Sequence, residues 1–225
     1  MTLAQLTLDL PHRAALGAED FLVSDCNVAA VRLIDAWPGW QDPVHLLIGP
    51  PASGKTHLAR VWQALSGARS LDPKTLDMDF IDSTGEGTSL LVEDADRSAY
   101  DERALFHLLN LAREKQLFVL LSARGAPSRW RVSLPDLSSR LNAEPMVEIG
   151  APDEALLRMV MLKHFADRQL DIDPKVLEVL ALQVERSLQA AAAAVEAVDR
   201  MALATGRKIN RQLVVEALAG SAPTD

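Results

Sequence analysis

Residues 49–56 read Gly49-Pro50-Pro51-Ala52-Ser53-Gly54-Lys55-Thr56, and the reading of this octet decides the fold. It has the spacing G-x-x-x-x-G-K-[ST] in full. Glycines let the backbone turn tightly, so that successive N–H groups point at phosphate oxygens. A helix starting near Lys55 adds its positive end to the same spot. The Lys55 ammonium is placed to reach β- and γ-phosphates, and the Thr56 hydroxyl to ligate Mg²⁺. The competing reading is a chance turn between a strand and a helix. The flanks argue against it: Val44–Gly49 is a short apolar run closed by glycine, and Leu58–Leu65 is amphipathic. The nucleotide-binding candidates are the eight residues of the loop, with His57 next to them.

Working outward, further apolar runs alternate with helical patterns. Residues 88–96, TSLLVEDAD, read as a strand ending in acids, 102–115 as a helix, and 116–125 as a third strand followed by a loop. Residues 145–150 read as a fourth strand, and a first helix runs from a cap at Ser24 and Asp25 to about Trp37. Such alternation predicts an α/β fold with a parallel sheet. After Pro152 the pattern is helical only. One helix is capped by Asp153, one starts near Pro174, one begins at Arg186 and ends at Gly206, and one runs from Asn210 to Gly220. The alanine run 190–194 suits close helix packing.

Composition narrows the function classes. The 225 residues are 48% hydrophobic and 24% charged, as in an ordinary globular chain. No apolar run nears the roughly 20 residues of a membrane span, and no export signal is visible. Cys26 is the single cysteine, which excludes an internal disulfide and fits a reducing cytoplasm. The net charge of −8 disfavours non-specific binding of nucleic acid. The five histidines show no metal-ligand spacing, and no Ser–His–Asp set is evident. Trp37, Trp40, Trp62 and Trp130 read most simply as packing residues. Only Trp130, between Arg129 and Arg131, has the basic neighbours that stacking on bases would need.

Glu93 and Asp94 end the second strand. With a phosphate loop in the chain, the first acid is the candidate to hold Mg²⁺ and the second to orient an attacking water. The plainer reading is two acids that solubilise a strand end. Glu93 is one methylene longer than the usual Asp.

Taken together, the loop, the acidic strand end, the strand ending at Ser122 and the helical appendage resemble an AAA+ P-loop ATPase module with a helical lid. The segments LLVEDAD, LFVLLSARGAPSRW, LPDLSSRL and ERSLQAAAAAVEAVDRM are similar, in order and spacing, to the ATPase domain of the DnaA-related proteins. The resemblance spans residues 5–220. It implies a clamp-binding tail at 1–12, a nucleotide-binding α/β domain at 13–150, a lid at 151–220 and a short tail at 221–225. Nothing in the sequence would supply the DNA-binding domain that DnaA itself carries.

Roles carried over by the resemblance are these. Arg140 falls at the arginine-finger position, acting in trans on a neighbour's nucleotide; without the resemblance it reads as a helix-surface ion pair. Arg186 falls at a second sensor position facing the phosphates, or is an exposed helix arginine. Phe21, Leu22 and Val23 fall in the adenine-lining segment, or are ordinary core. Ala123 stands where the family usually has a polar residue, so hydrolysis by this chain is expected to be weak or absent while ADP or ATP still binds with Mg²⁺.

The tail stretch Gln5-Leu6-Thr7-Leu8-Asp9-Leu10 reads either as a strand or, by resemblance, as a peptide for the β sliding clamp of DNA polymerase III. In the second reading Gln5 bonds at the pocket rim, and Leu6, Leu8 and Leu10 belong to the contact segment. The implied function is a cytoplasmic, replisome-associated bacterial regulator. It would be tethered to the clamp and act on DnaA, with DNA contact mainly through the clamp and with self-association into a dimer or oligomer. The alternative is an ATPase that loads or remodels a replicative helicase.

Overall fold

The computed structural model describes residues 22–97 and 99–220. A turn in which the Ser24 N–H donates to Asn27 Oδ1 leads into α1, Val28–Asp35, which ends before the expected Trp37. Val44–Ile48, β1, is buried along its whole length, as a central parallel strand must be. It runs into α2, Lys55–Ser66. There follow β2 at Arg69–Leu71, α3 at Met78–Asp82, β3 at Ser89–Val92 and α4 at Glu102–Glu114. Then come β4 at Phe118–Ala123, α5 at Pro135–Ala143 and β5 at Met146–Glu148.

The strands form one parallel sheet in the order β2-β3-β4-β1-β5. The sequence reading has four of them. β2 escapes it because Arg69-Ser70-Leu71 carries no apolar run; it is a three-residue, mostly exposed edge strand. Side chains alternate across the sheet. Val44, Leu46, Ile48, Leu90, Val92, Val119 and Leu121 pack with α3, α4 and α5 in one core. Leu47, Leu91 and Leu120 pack with α1 and α2 in the other. There Trp40 stacks on Trp62 at 5.1 Å, while Trp37 meets Trp40, Trp62 and Phe118 edge-on. These three tryptophans are packing residues. Trp130 lies against the opposite core, and its Nε1–H donates to Gly125 O at 2.8 Å.

Four helices follow: α6 at Glu154–Asp167, α7 at Pro174–Gln183, α8 at Leu188–Thr205 and α9 at Arg211–Ala219. Asp153, Asp173, Ser187 and Asn210 cap their amino ends through side-chain oxygens. Their apolar faces make a third core of their own, which includes Met161, Phe165, Leu180, Val195 and Leu213. Because Ser187 is the cap, α8 starts at Leu188 and Arg186 precedes the helix. Among the described residues no helix is long and apolar enough to cross a membrane.

Candidate nucleotide-binding site

β1 delivers the loop at the carboxyl ends of the strands, where open α/β sheets place their ligands. The Gly49 N–H donates to Ala123 O at 3.1 Å, which fixes the loop to β4. A Cβ on Gly49 would lie 2.6 Å from Ile149 O and 2.9 Å from Ser53 Oγ, so only glycine fits. Ala52 has φ 55° and Gly54 has φ 96°, both left-handed. Positive φ at a non-glycine residue is the kind of backbone strain that gathers at ligand sites.

The loop's own polar groups are arranged for an anion. Lys55 Nζ donates to Gly49 O and Pro50 O, each at 2.8 Å. Burial pushes the Lys55 ammonium below its ordinary pKa; Asp94 and Asp96 oppose that shift and Arg124 adds to it. The buried Ser53 hydroxyl makes no hydrogen bond, which leaves a donor spare inside the loop. A cation resting on two neutral carbonyls gains by exchanging them for charged phosphate oxygens. The loop therefore fits a nucleotide's phosphates. Thr56, exposed at the start of α2, and the half-buried Glu93 at the end of β3 are hard oxygen donors of the kind Mg²⁺ takes.

The acids are tied to β4 by Ser122. Asp94 has φ 51°, and its N–H donates to Ser122 Oγ at 3.2 Å. The Ala95 N–H donates to Ser122 O at 2.9 Å, and the Arg124 N–H to Asp96 Oδ2 at 3.0 Å. The one polar side chain within β4 is thus used to hold the backbone of the acidic turn. Ala123 beside it is fully buried and contributes only its carbonyl.

Two clefts of about 350 Å³ each meet at Gly54 and Leu188. The first is lined by Ala52, Ser53, Lys55 and Thr56 of the loop and by Gln189 of α8. The second lies between Leu22, Asn27 and His57 on one side and Leu156, Val160 and His164 of α6 on the other. Of the expected base-lining residues, Leu22 stands in this cleft. Val23 is instead packed against the apolar core formed with α1 and α2. Phe21 lies outside the described residues, as do Gln5, Leu6, Leu8 and Leu10. Arg186 is exposed two residues before the α8 helix whose first residues line both clefts.

The sequence reading missed Asn27, Leu156, Val160, Leu188 and Gln189. Asn27 is buried, its Nδ2–H donating to Leu22 O at 2.9 Å, so it shapes the segment that reaches the cleft. The signal for α6 was its apolar residues on more than one face: Leu157, Met161 and Phe165 fill the helical core, Val160 packs at its edge, and Leu156 is left over.

Arg140 is remote from this loop. It lies in the last turn of α5, which hands over to the amino end of β5. Its side chain is 24% exposed and stands 3.0 Å from the buried Glu144 carboxylate, so in this chain it is an ion pair within its own helix end.

No family model and no curated protein matches the sequence. Solved structures match it over most of its length. Domain III of the replication initiation protein DnaA from Thermotoga maritima is similar at a TM-score of 0.72, with 18% identity over 90% of this chain and 95% of that one. The fold is of the AAA+ P-loop type. The Thermotoga maritima RuvB Holliday junction branch migration motor is similar at 0.70, with 19% identity over 88% of this chain and 70% of that one. A DNA replication initiation factor is similar at 0.69, with 16% identity, 89% of this chain and 67% of that one. The two clefts lie between the helical bundle and the sheet domain.

Proposed function

We propose that this chain is an Hda-type regulator: a nucleotide-bound AAA+ protein that lowers the activity of the DnaA initiator by stimulating hydrolysis of DnaA-bound ATP. The observation that carries this reading is the separation of two devices. The phosphate loop sits at the carboxyl end of β1, whereas Arg140 sits where α5 leads to the amino end of β5. An arginine so placed serves a nucleotide on another chain. A guanidinium supplied in trans stabilises charge on the transferred phosphoryl oxygens and is worth several orders of magnitude in rate. Ala123 supports the same division of labour, since it offers no side-chain polar group at the end of β4. ADP or ATP, with Thr56 and Glu93 as the residues that would hold Mg²⁺, would order the lid against the loop.

In this reading Gln5 and Leu8 tether the chain to the β sliding clamp in the bacterial cytoplasm, and the clamp carries it on DNA. Turnover of DnaA-bound ATP with clamp loaded on DNA tests the proposal. Arg140→Ala and Gln5→Ala/Leu8→Ala are each expected to abolish stimulation while leaving folding and ADP binding intact. Wild-type stimulation by the Arg140 variant would refute the finger role. The second reading, a helicase-loading ATPase, draws on the complete loop and on Asp94 as the water-orienting acid. It requires substantial steady-state hydrolysis by the isolated protein that is lost in Asp94→Asn.

A further inference from the structure

Glu144 is fully buried at the carboxyl end of α5, and two arginines reach it. Arg113, in the last turn of α4, donates from one terminal guanidinium nitrogen to Glu144 Oε2 at 3.0 Å in good hydrogen-bond geometry. Arg140 Nε stands equally close to Oε1, at 3.0 Å, yet the two atoms are not aligned as a hydrogen bond. Among the described residues the one aligned bond of the Arg140 side chain is a 3.5 Å contact from a terminal nitrogen to Leu109 O, at the outer limit of the interaction. One guanidinium therefore holds the carboxylate and the other leans on it.

The asymmetry has a physical consequence. A buried carboxylate stripped of its partner is strongly unfavourable. If Arg140 alone neutralised Glu144, withdrawing it would leave a bare buried charge. With Arg113 bonded to the second oxygen, Arg140 leaves at little cost. Both arginines also sit at helix carboxyl ends, which favour positive charge.

We propose that Glu144 and Arg113 form a release device for Arg140: the carboxylate parks the guanidinium within its own chain, and Arg113 keeps the carboxylate neutral when Arg140 moves to a neighbouring protomer's nucleotide. This rests on the finger reading of Arg140 given above. Arg113 and Glu144 are then positioning residues.

Two measurements on the full chain test it. The first needs no partner: modification of Arg140 by phenylglyoxal, followed by peptide mass spectrometry. It is expected to be faster than wild type in Glu144→Gln and slower in Arg113→Ala, where Arg140 becomes the sole counter-charge. Equal rates in all three proteins would overturn the parking. The second is stimulation of ATP turnover on the partner. Arg113→Ala is expected to lower it about tenfold or more, Glu144→Gln to keep or raise it, and Arg113→Ala/Glu144→Gln to return within about twofold of Glu144→Gln alone, because a neutral amide needs no holder. Rescue separates this role from a merely structural one. Wild-type stimulation by Arg113→Ala, or no rescue in the double variant, would overturn the proposal. Altered modification rates together with undiminished stimulation by Arg140→Ala would instead refute the finger reading, and the release role with it.

Discussion

At the scale of single residues, the site is set by atoms that have no room to differ. Gly49 is the sharpest case: a methyl there meets the backbone carbonyl of Ile149, which cannot swing aside as a side chain would. Gly49→Ala is expected to cost about 1–3 kcal/mol, read as a lower denaturation midpoint, and to loosen β5. His45 makes a second prediction. It is buried beside Trp40 at 4.5 Å, and among the described residues neither ring nitrogen makes a well-aligned hydrogen bond. Burial holds its pKa below the ordinary 6.5; Asp42 pulls the other way and loses. The native state thus takes up a proton at lower pH than the unfolded chain. Its contribution is complete above about pH 6.5 and is lost as pH falls below that, by at most about 1.4 kcal/mol per pH unit for one proton. Urea titrations from pH 7.5 to 5 should show the decline, and His45→Phe should flatten it. His164, also lowered mainly by burial, adds a slope of the same sign that remains in the variant.

Among the elements, the amino end of α8 matters most to the site, since Leu188 lines both clefts and Gln189 the one at the phosphate loop. Ser187 Oγ accepts the Ala190 N–H at 3.0 Å and so fixes where that helix begins. Ser187→Ala is expected to cost about 1 kcal/mol, roughly 2–4 °C in a chain of this size. It should weaken ADP binding as well, in a calorimetric titration, because the start of the helix is part of the cleft wall. A loss of stability with unchanged affinity would show that the cleft does not depend on this cap. The caps were largely visible beforehand: Asp153, Asn210, Gly206 and Pro174 each stand where the sequence puts a helix boundary. Two boundaries differ: Arg186 falls outside α8 because a serine next to it is the better acceptor, and α1 is capped at Asn27 rather than at Ser24 and Asp25, which lie in the turn before it.

For the whole molecule, ligand and fold are linked. Anything that binds only the native state stabilises it, by about 2.7 kcal/mol at a hundred times its Kd. A nucleotide bridging the loop and the lid should therefore raise the thermal midpoint of the intact chain. Lys55→Ala should remove most of that shift, since each charge-assisted bond lost costs about 1.5–3 kcal/mol. An unchanged shift would mean that the ligand is not held at the phosphate loop.

What the sequence by itself determined is everything carried by local pattern. The octet 49–56 with its apolar flanks specifies strand, loop and helix. The β-rich runs and the caps specify an α/β part followed by helices, because hydrophobic period and turn chemistry act over a few residues. Tertiary structure alone decided the rest. β2 exists only because an edge of the sheet accepts Arg69-Ser70-Leu71. Val23 turned to the core and Leu22 to the cleft, although they are neighbours in an apolar trio. Ser122 was spent on the backbone of Asp94, twenty-eight residues away. Arg140 and Arg113 share one buried carboxylate, a pairing that spans α4 and α5. Each of these depends on which surfaces meet once the sheet has closed its two cores, and contacts between segments distant in the chain leave no periodic trace in the sequence.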